Sequence, residues 1–303
     1  MLAARLQPHD LIALVAPASA TEPDLAASAI TNLESLGYRT RIFGELATHH
    51  GYLSASDVER AAQFQRAIED PEVKLILAVR GGYGVGRMLE HIDFTPLRWA
   101  PKLIAGFSDI TALHAAVWKT CGLISFHSPN AVDGFANGRG DDASRAALIC
   151  ALSGESLEYT GGKALTPGVA RGRLLGGNLA IVAALVGTPW ELDLGGAILF
   201  IEDIGEAPYR IDRMLWQLRA AGCLSDLAGV VLGHFTDCTD RPGKATPTGE
   251  EVLAEYLTPL GVPVLASFPF GHESPNFAWP HGALVELDAT AGRVTVLEPV
   301  VVL

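Results

Sequence analysis

The sequence predicts an α/β protein: a parallel, doubly wound sheet in the N-terminal half and a smaller α+β half behind it. Three observations carry this. Short apolar runs recur through the first half, amphipathic helical spacing separates them, and the pattern changes after a polar, glycine-broken stretch at Gly154–Pro167. That stretch divides the chain into expected domains at 1–155 and 156–303.

The elements follow in order. Leu11–Ala16 is the first buried strand. Thr21 is the expected N-cap of a helix with Pro23 and Asp24 in its first turn, apolar positions Leu25, Ile30, Leu33 and Leu36, and Gly37 as its stop. Tyr38–Phe43 is a second strand. Asp57–Ile68 is a helix, apolar at Val58, Ala61, Phe64 and Ile68. Lys74–Val79 is a third strand, Gly84–His91 a short helix, Leu103–Ala105 a fourth strand and Ile110–Lys119 the helix after it. Asp133–Asp142 is rich in Gly, Asn and Asp and reads as a loop, and Asp141–Leu152 as a helix. In the second half, strands are expected near Ala197–Ile201, Gly229–Leu232 and Ala283–Leu287, with helices near Leu179–Val186 and Arg210–Ala221.

Composition narrows the function classes. The 303 residues carry a formal net charge of −12. No basic block offsets it, so nucleic acid and anionic membrane surfaces are not expected partners. Four dispersed cysteines (Cys121, Cys150, Cys223 and Cys238) show no CxxC spacing, which fits reduced thiols in a cytoplasmic protein. The run LIALVAPASA at Leu11 breaks at Pro17 and follows Asp10, too short and wrongly flanked for a signal peptide. No stretch approaches the roughly 20 apolar residues of a membrane span.

Ligand sites in a doubly wound sheet lie beyond the carboxyl ends of its strands. Two such ends stand out, Arg80-Gly81-Gly82-Tyr83-Gly84 and Gly106-Phe107-Ser108-Asp109. A serine on a tight strand-to-helix turn presents its hydroxyl at the sheet edge, with backbone N–H groups facing a developing oxyanion. The match to G-x-S-x-G is partial, because Ile110 takes the last position, and a plain helix N-cap is the competing reading. The glycine run lacks a Walker lysine and dinucleotide spacing, which leaves a second oxyanion donor or a ligand-free turn.

A serine nucleophile needs a base and an orienting group. Of nine histidines, His272 follows the strand-like run Leu265–Phe270 and precedes a proline-rich loop. His127, His234 and His281 are competitors. The apolar strand Ile198–Ile201 ends in Glu202 and Asp203, and the residues alone do not choose between them. No HExxH or comparable cluster is present, so no metal and no cofactor are expected.

Six ordered blocks together resemble the LD-carboxypeptidases, the muramoyltetrapeptide carboxypeptidase family of serine peptidases. They are LIALVAPAS from Leu11, LAVRGGYGVGRML from Leu77, GFSDITALH from Gly106, LLGGNLAIVAALVGTPW from Leu174, ILFIEDIGEAPYRIDRMLWQL from Ile198 and FPFGHESPNFAWPHG from Phe268. The resemblance implies a Ser108–His272–Glu202 triad with oxyanion donors at the Asp109 amide and at Gly82, Gly81 being the alternate. It implies a flavodoxin-like (class I glutamine amidotransferase-like) N-terminal domain carrying the serine, a C-terminal domain carrying Glu202 and His272, and a site at their interface. Arg80, Gly81 and Arg210 are candidates for binding the substrate, and a surface ion pair is the plain alternative for both arginines.

The implied substrate is a murein tetrapeptide, cut between the L-centre of its diamino acid and the terminal D-alanine during peptidoglycan recycling, by a cytoplasmic homodimer. One alternative is an immunity-type peptidase cleaving an aminoacyl-nucleotide antibiotic such as microcin C. Another is a catalytically silent binding protein.

Overall fold

The computed structural model describes residues 1–240 and 247–303. The chain forms two compact units. The first comprises Met1–Ser156, Pro275–Gly282 and Pro299–Leu303, and the second Leu157–Ser274 and Ala283–Glu298.

In the first unit, strands β1 (Leu11–Val15), β2 (Arg39–Ile42), β3 (Val73–Ala78), β4 (Leu103–Gly106) and β5 (Ser125–His127) pair in parallel in the order β5-β4-β3-β1-β2. This is the flavodoxin-like order, and the α/β expectation is met. Helices α1 (Pro23–Ser35), α2 (Asp57–Glu69), α3 (Val85–Met88) and α4 (Thr111–Cys121) connect these strands. Two further helices follow, α5 (Ala131–Phe135) and α6 (Asp142–Ser153). Apart from the exposed Lys74 near the start of β3, the central strands are apolar on both faces and buried, whereas β2 (RTRI) is largely exposed, as suits a sheet edge blunted by arginines.

Local chemistry fixes several helix ends. Ser56 and Glu59 form a capping box at the start of α2. Asp141 caps α6 by accepting from the Ser144 amide at 2.8 Å. At α1 the expected cap is replaced. Glu22 is the N-cap residue without a side-chain bond, Pro23 sets the first turn, and buried Thr21 instead donates its amide to the Leu46 carbonyl. The loop expected at 133–142 begins as the short helix α5.

The second unit contains β6 (Glu158–Thr160), β7 (Lys163–Thr166), β8 (Val169–Asn178), α7 (Leu179–Ala184), β9 (Ile198–Ile204), α8 (Pro208–Ala220), β10 (Gly229–Thr236), α9 (Gly249–Leu257) and β11 (Val264–Ala266). Strand β12 (Trp279–His281) instead pairs antiparallel with β5 of the first sheet. Strands β13 (Leu284–Asp288) and β14 (Arg293–Val296) complete a mixed sheet in the order β6-β14-β13-β8-β9-β10-β11-β7, parallel only from β8 to β11. The polar stretch at which the domains are expected to divide thus supplies two edge strands, β6 against β14 and β7 against β11. Its residues carry little β signal and are recruited by pairing.

One buried side chain ties together the loops at the carboxyl edge of the first sheet. Arg60, on α2, is 1% exposed. It donates to the carbonyls of Ala55, Pro17 and Gly84 and to the Asp57 carboxylate. Arg60→Leu leaves the buried Pro17 carbonyl without its donor, removes one of two donors from the Gly84 carbonyl and takes the cation from Asp57. The expected cost is about 3 kcal/mol or more, read as a lower thermal midpoint with the secondary structure otherwise retained.

Candidate active site

Ser108 follows β4 at the start of a single 3₁₀ turn leading into α4. It is one of few non-glycine residues with positive φ, +65°. Such a conformation costs a side-chain-bearing residue about 1–3 kcal/mol and persists only where its surroundings over-determine it. They do so here. Gly106, at φ +150°, has no room for a side chain, since a Cβ there would lie 2.8 Å from Asn130 Oδ1. That oxygen accepts from the Phe107 amide at 3.2 Å, and the Phe107 carbonyl accepts from Ile110 at 3.3 Å. The turn therefore holds Ser108 in the strained strand-to-helix conformation that a nucleophile elbow uses, although the last glycine of the motif is missing.

The glycine run packs directly on this serine. A Cβ at Gly81 would come within 2.8 Å of Ser108 Cβ and 3.0 Å of its Oγ. Gly82, at φ +129°, is equally constrained, because a Cβ there would fall 2.1 Å from Ser19 Oγ. Ser19 in turn donates to the Tyr52 carbonyl at 2.7 Å. Ser19 closes the first of the six blocks, and nothing in its local residue pattern marks it as a neighbour of the glycine run. Among the described residues, the Asp109 and Gly82 amides donate to no other protein group. The first is the residue after Ser108 and the second the residue after Gly81, which packs on Ser108, so both remain candidates for the expected donors.

The Asp109 side chain has a separate task. Buried at 2% exposure, it accepts from the Val85 amide at 2.8 Å and so ties the start of α3 to the serine turn. Burial raises its pKa to about 6, against smaller lowering effects of the Val85 hydrogen bond and the Arg60 charge.

In the second unit, β9 decides between the two carboxylates. Adjacent strand residues point to opposite faces. Asp203 accepts from Asn178 Nδ2 and the Ala180 amide, both at 2.9 Å, and so anchors the start of α7. Burial lifts its pKa to about 6. Glu202, fully buried, faces the other way and meets His272 Nδ1 at 2.6 Å. An ionised carboxylate can only accept, so Nδ1 carries the proton and Nε2 is left as the basic nitrogen. Gly271, at φ +114°, permits this contact, since a Cβ there would lie 2.9 Å from Glu202 Oε2.

The competing histidines are arranged differently. His127 and His281 are fully buried in the first unit. His234 lies 3.9 Å from Glu273, a half-exposed carboxylate. His272 alone among these candidates pairs a buried carboxylate with a partly exposed ring, 13% accessible.

The remaining expected ligands of substrate are on the surface. Arg80 is exposed and donates to the Ala20 carbonyl at 3.2 Å. Arg210 is exposed and pairs with Glu206 at 3.4 Å and with Tyr209 Oη at 3.2 Å. Among the described residues, no group of three or more His, Cys, Asp or Glu is placed to hold a metal. No helix among them is long and apolar enough to cross a membrane.

The chain is similar over nearly its whole length to known proteins. Residues 12–128 match the sequence profile of the LD-carboxypeptidase N-terminal domain, and 171–287 that of the LD-carboxypeptidase C-terminal domain. The chain is 38% identical to a probable murein peptide carboxypeptidase of Bacillus subtilis, over 97% of this chain and 93% of that one. The crystal structure of muramoyltetrapeptide carboxypeptidase from Oxalobacter formigenes superposes with a TM-score of 0.85 at 32% identity, covering 94% and 97% of the two chains. The microcin C7 self-immunity protein MccF of Escherichia coli is 28% identical over 98% of this chain and 96% of its own. In its wild-type apo structure MccF shares the fold, with a TM-score of 0.92 at 24% identity and full coverage of both chains.

Two outcomes follow from the geometry. Gly271→Ala should push Glu202 off His272 and lower kcat by about a hundredfold, the scale of an ångström-level misplacement, and the strain of an alanine at φ +114° should also lower the melting temperature by a few degrees. Asp109 holds its proton more tightly folded (about 6) than at its ordinary value of 3.8. Its contribution to stability is therefore greatest below pH 4 and is lost as pH rises through 6. Asp109→Asn should flatten the pH dependence of the melting temperature between pH 4 and 6 relative to wild type, leaving the parallel contribution of Asp203.

Proposed function

Because the chain belongs to the LD-carboxypeptidase family, we propose that it is a serine carboxypeptidase acting on murein tetrapeptides, with Ser108, His272 and Glu202 as its triad. The observation that carries this reading is the buried 2.6 Å bond between Glu202 and His272 Nδ1, an arrangement that suits a base acting through Nε2. The strained turn that exposes Ser108 supports it, as do the 38% and 32% identities to carboxypeptidases named for murein substrates.

In the proposed reaction His272 Nε2 takes the Ser108 hydroxyl proton as Oγ attacks the carbonyl between the L-centre of the diamino acid and the terminal D-alanine. The tetrahedral oxyanion is held by the Asp109 and Gly82 amides, each worth about 3–4 kcal/mol by analogy with measured oxyanion donors. The C–N bond breaks, the proton passes to the leaving amine, and D-alanine departs. Water then attacks the acyl-serine, giving its proton to His272, and releases the tripeptide. Glu202 holds the ring and stabilises the imidazolium. The peptide's terminal carboxylate is the group we assign to Gly81 and to Arg80 or Arg210. We place the enzyme in the cytoplasm as a homodimer serving peptidoglycan recycling.

The test is D-alanine release from a murein tetrapeptide, followed by mass spectrometry with and without EDTA. Release should survive EDTA and fall about 10⁶-fold in Ser108→Ala, which keeps its fold. Turnover confined to an aminoacyl sulfamoyl adenylate would transfer the assignment to an antibiotic-cleaving peptidase. Failure of wild type to react with a fluorophosphonate at Ser108 would mark a silent binder.

A further inference from the structure

The first unit contains a stack of three buried histidines that the triad does not use. His114 on α4, His127 on β5 and His281 on β12 are each fully buried. The His114 and His281 rings stack at 5.8 Å with 23° between their planes, and His127 lies 6.4 Å from His114. Trp118 and Phe107 present ring edges to His281 and His127 at 6.4 and 6.0 Å. Strand β12 brings His281 into this group by pairing with β5, His281 opposite Ser125.

Within the stack, His114 reaches the serine turn. Its Nε2 lies 2.9 Å from the Gly106 carbonyl and its Nδ1 2.8 Å from Ser125 Oγ. A carbonyl only accepts, so Nε2 carries the hydrogen, and Nδ1 accepts from the Ser125 hydroxyl. The ring is neutral: burial lowers the His114 pKa to about 3 and that of His281 well below its ordinary value. The Gly106 carbonyl also accepts from the Ser128 amide at 3.1 Å. On the other edge of the same peptide, the Phe107 N–H is held by Asn130. The peptide plane two bonds ahead of the strained Ser108 is therefore gripped at both edges. His114 supplies the one side-chain donor on its oxygen among the described residues.

We propose that His114 is a positioning residue for the nucleophile. Its neutral imidazole, oriented by Ser125 and packed by His281, fixes the Gly106–Phe107 peptide and through it the Ser108 hydroxyl. This rests on the reading of Ser108 as the nucleophile.

The experiment measures the pseudo-first-order rate constant for fluorophosphonate labelling of Ser108, alongside kcat and KM on murein tetrapeptide. A rate constant, unlike a labelling yield, does not change when part of the sample is unfolded, so a purely structural role leaves it unmoved. His114→Leu keeps the volume and removes the donor. It should slow labelling and kcat by about ten- to a hundredfold with KM unchanged, and His114→Gln, which can still donate to Gly106, should recover most of the loss. Labelling at the wild-type rate in His114→Leu overturns the proposal. Should His114→Leu fail to fold, Ser125→Ala, which removes only the donor that orients the ring, should still slow labelling several-fold, and an unchanged rate there overturns the proposal equally. Wild-type protein that takes no label at Ser108 defeats instead the assignment of the nucleophile.

Discussion

The positive φ of Ser108 is the constraint around which the first unit is arranged. A side-chain residue adopts that conformation only under compulsion, and the neighbouring residues supply it. Gly106 gives space where Asn130 closes in, Gly81 lies flat against the serine side chain, and the Asp109 carboxylate holds the start of α3 beside it. Each contact leaves little room for a bulkier residue. This accounts for glycines at two strand ends that pattern alone could assign only to a turn or a donor. It also accounts for a carboxylate buried where it is held partly against its ionisation.

The second unit solves a different problem, the burial of a carboxylate that remains useful. Glu202 is fully buried on β9, and an isolated charge there would carry a desolvation cost of several kcal/mol. The short bond to His272 offsets that cost and at the same time fixes which ring nitrogen is basic. Its neighbour Asp203, aimed to the opposite face, caps α7 and is bonded only to amide groups. Strand alternation thus sends two adjacent acids to opposite faces, one to His272 and the other to the start of α7.

The two sheets differ in how openly the sequence announces them. The central strands of the first are apolar on both faces, so LIALV and VKLILA stand out, and flanking glycines, prolines and capping residues mark the helices between them. The edge strands β6 and β7 are polar and alternate weakly, and β12 is three residues long. Their strand character comes from the partner they hydrogen-bond, which no local window contains.

For the site, the sequence by itself determined the membership of the six blocks, the serine on a strand-to-helix turn, the acidic end of β9 and the histidine after Gly271, because these are local patterns of residue type and spacing. The residues alone leave Glu202 and Asp203 open, and the family resemblance points to Glu202 and His272. What only the tertiary structure adds is that Glu202 meets His272 while Asp203 turns to the start of α7, and that His127 and His281 are fully buried. Those contacts depend on which way a side chain points and on what lies across from it, 23 residues away at Ala180 and 70 residues away at His272. The same holds for His114 and His281, whose stacking depends on a late segment returning to pair with β5. Contact between distant residues is a property of the folded chain, and spacing along the sequence does not encode it.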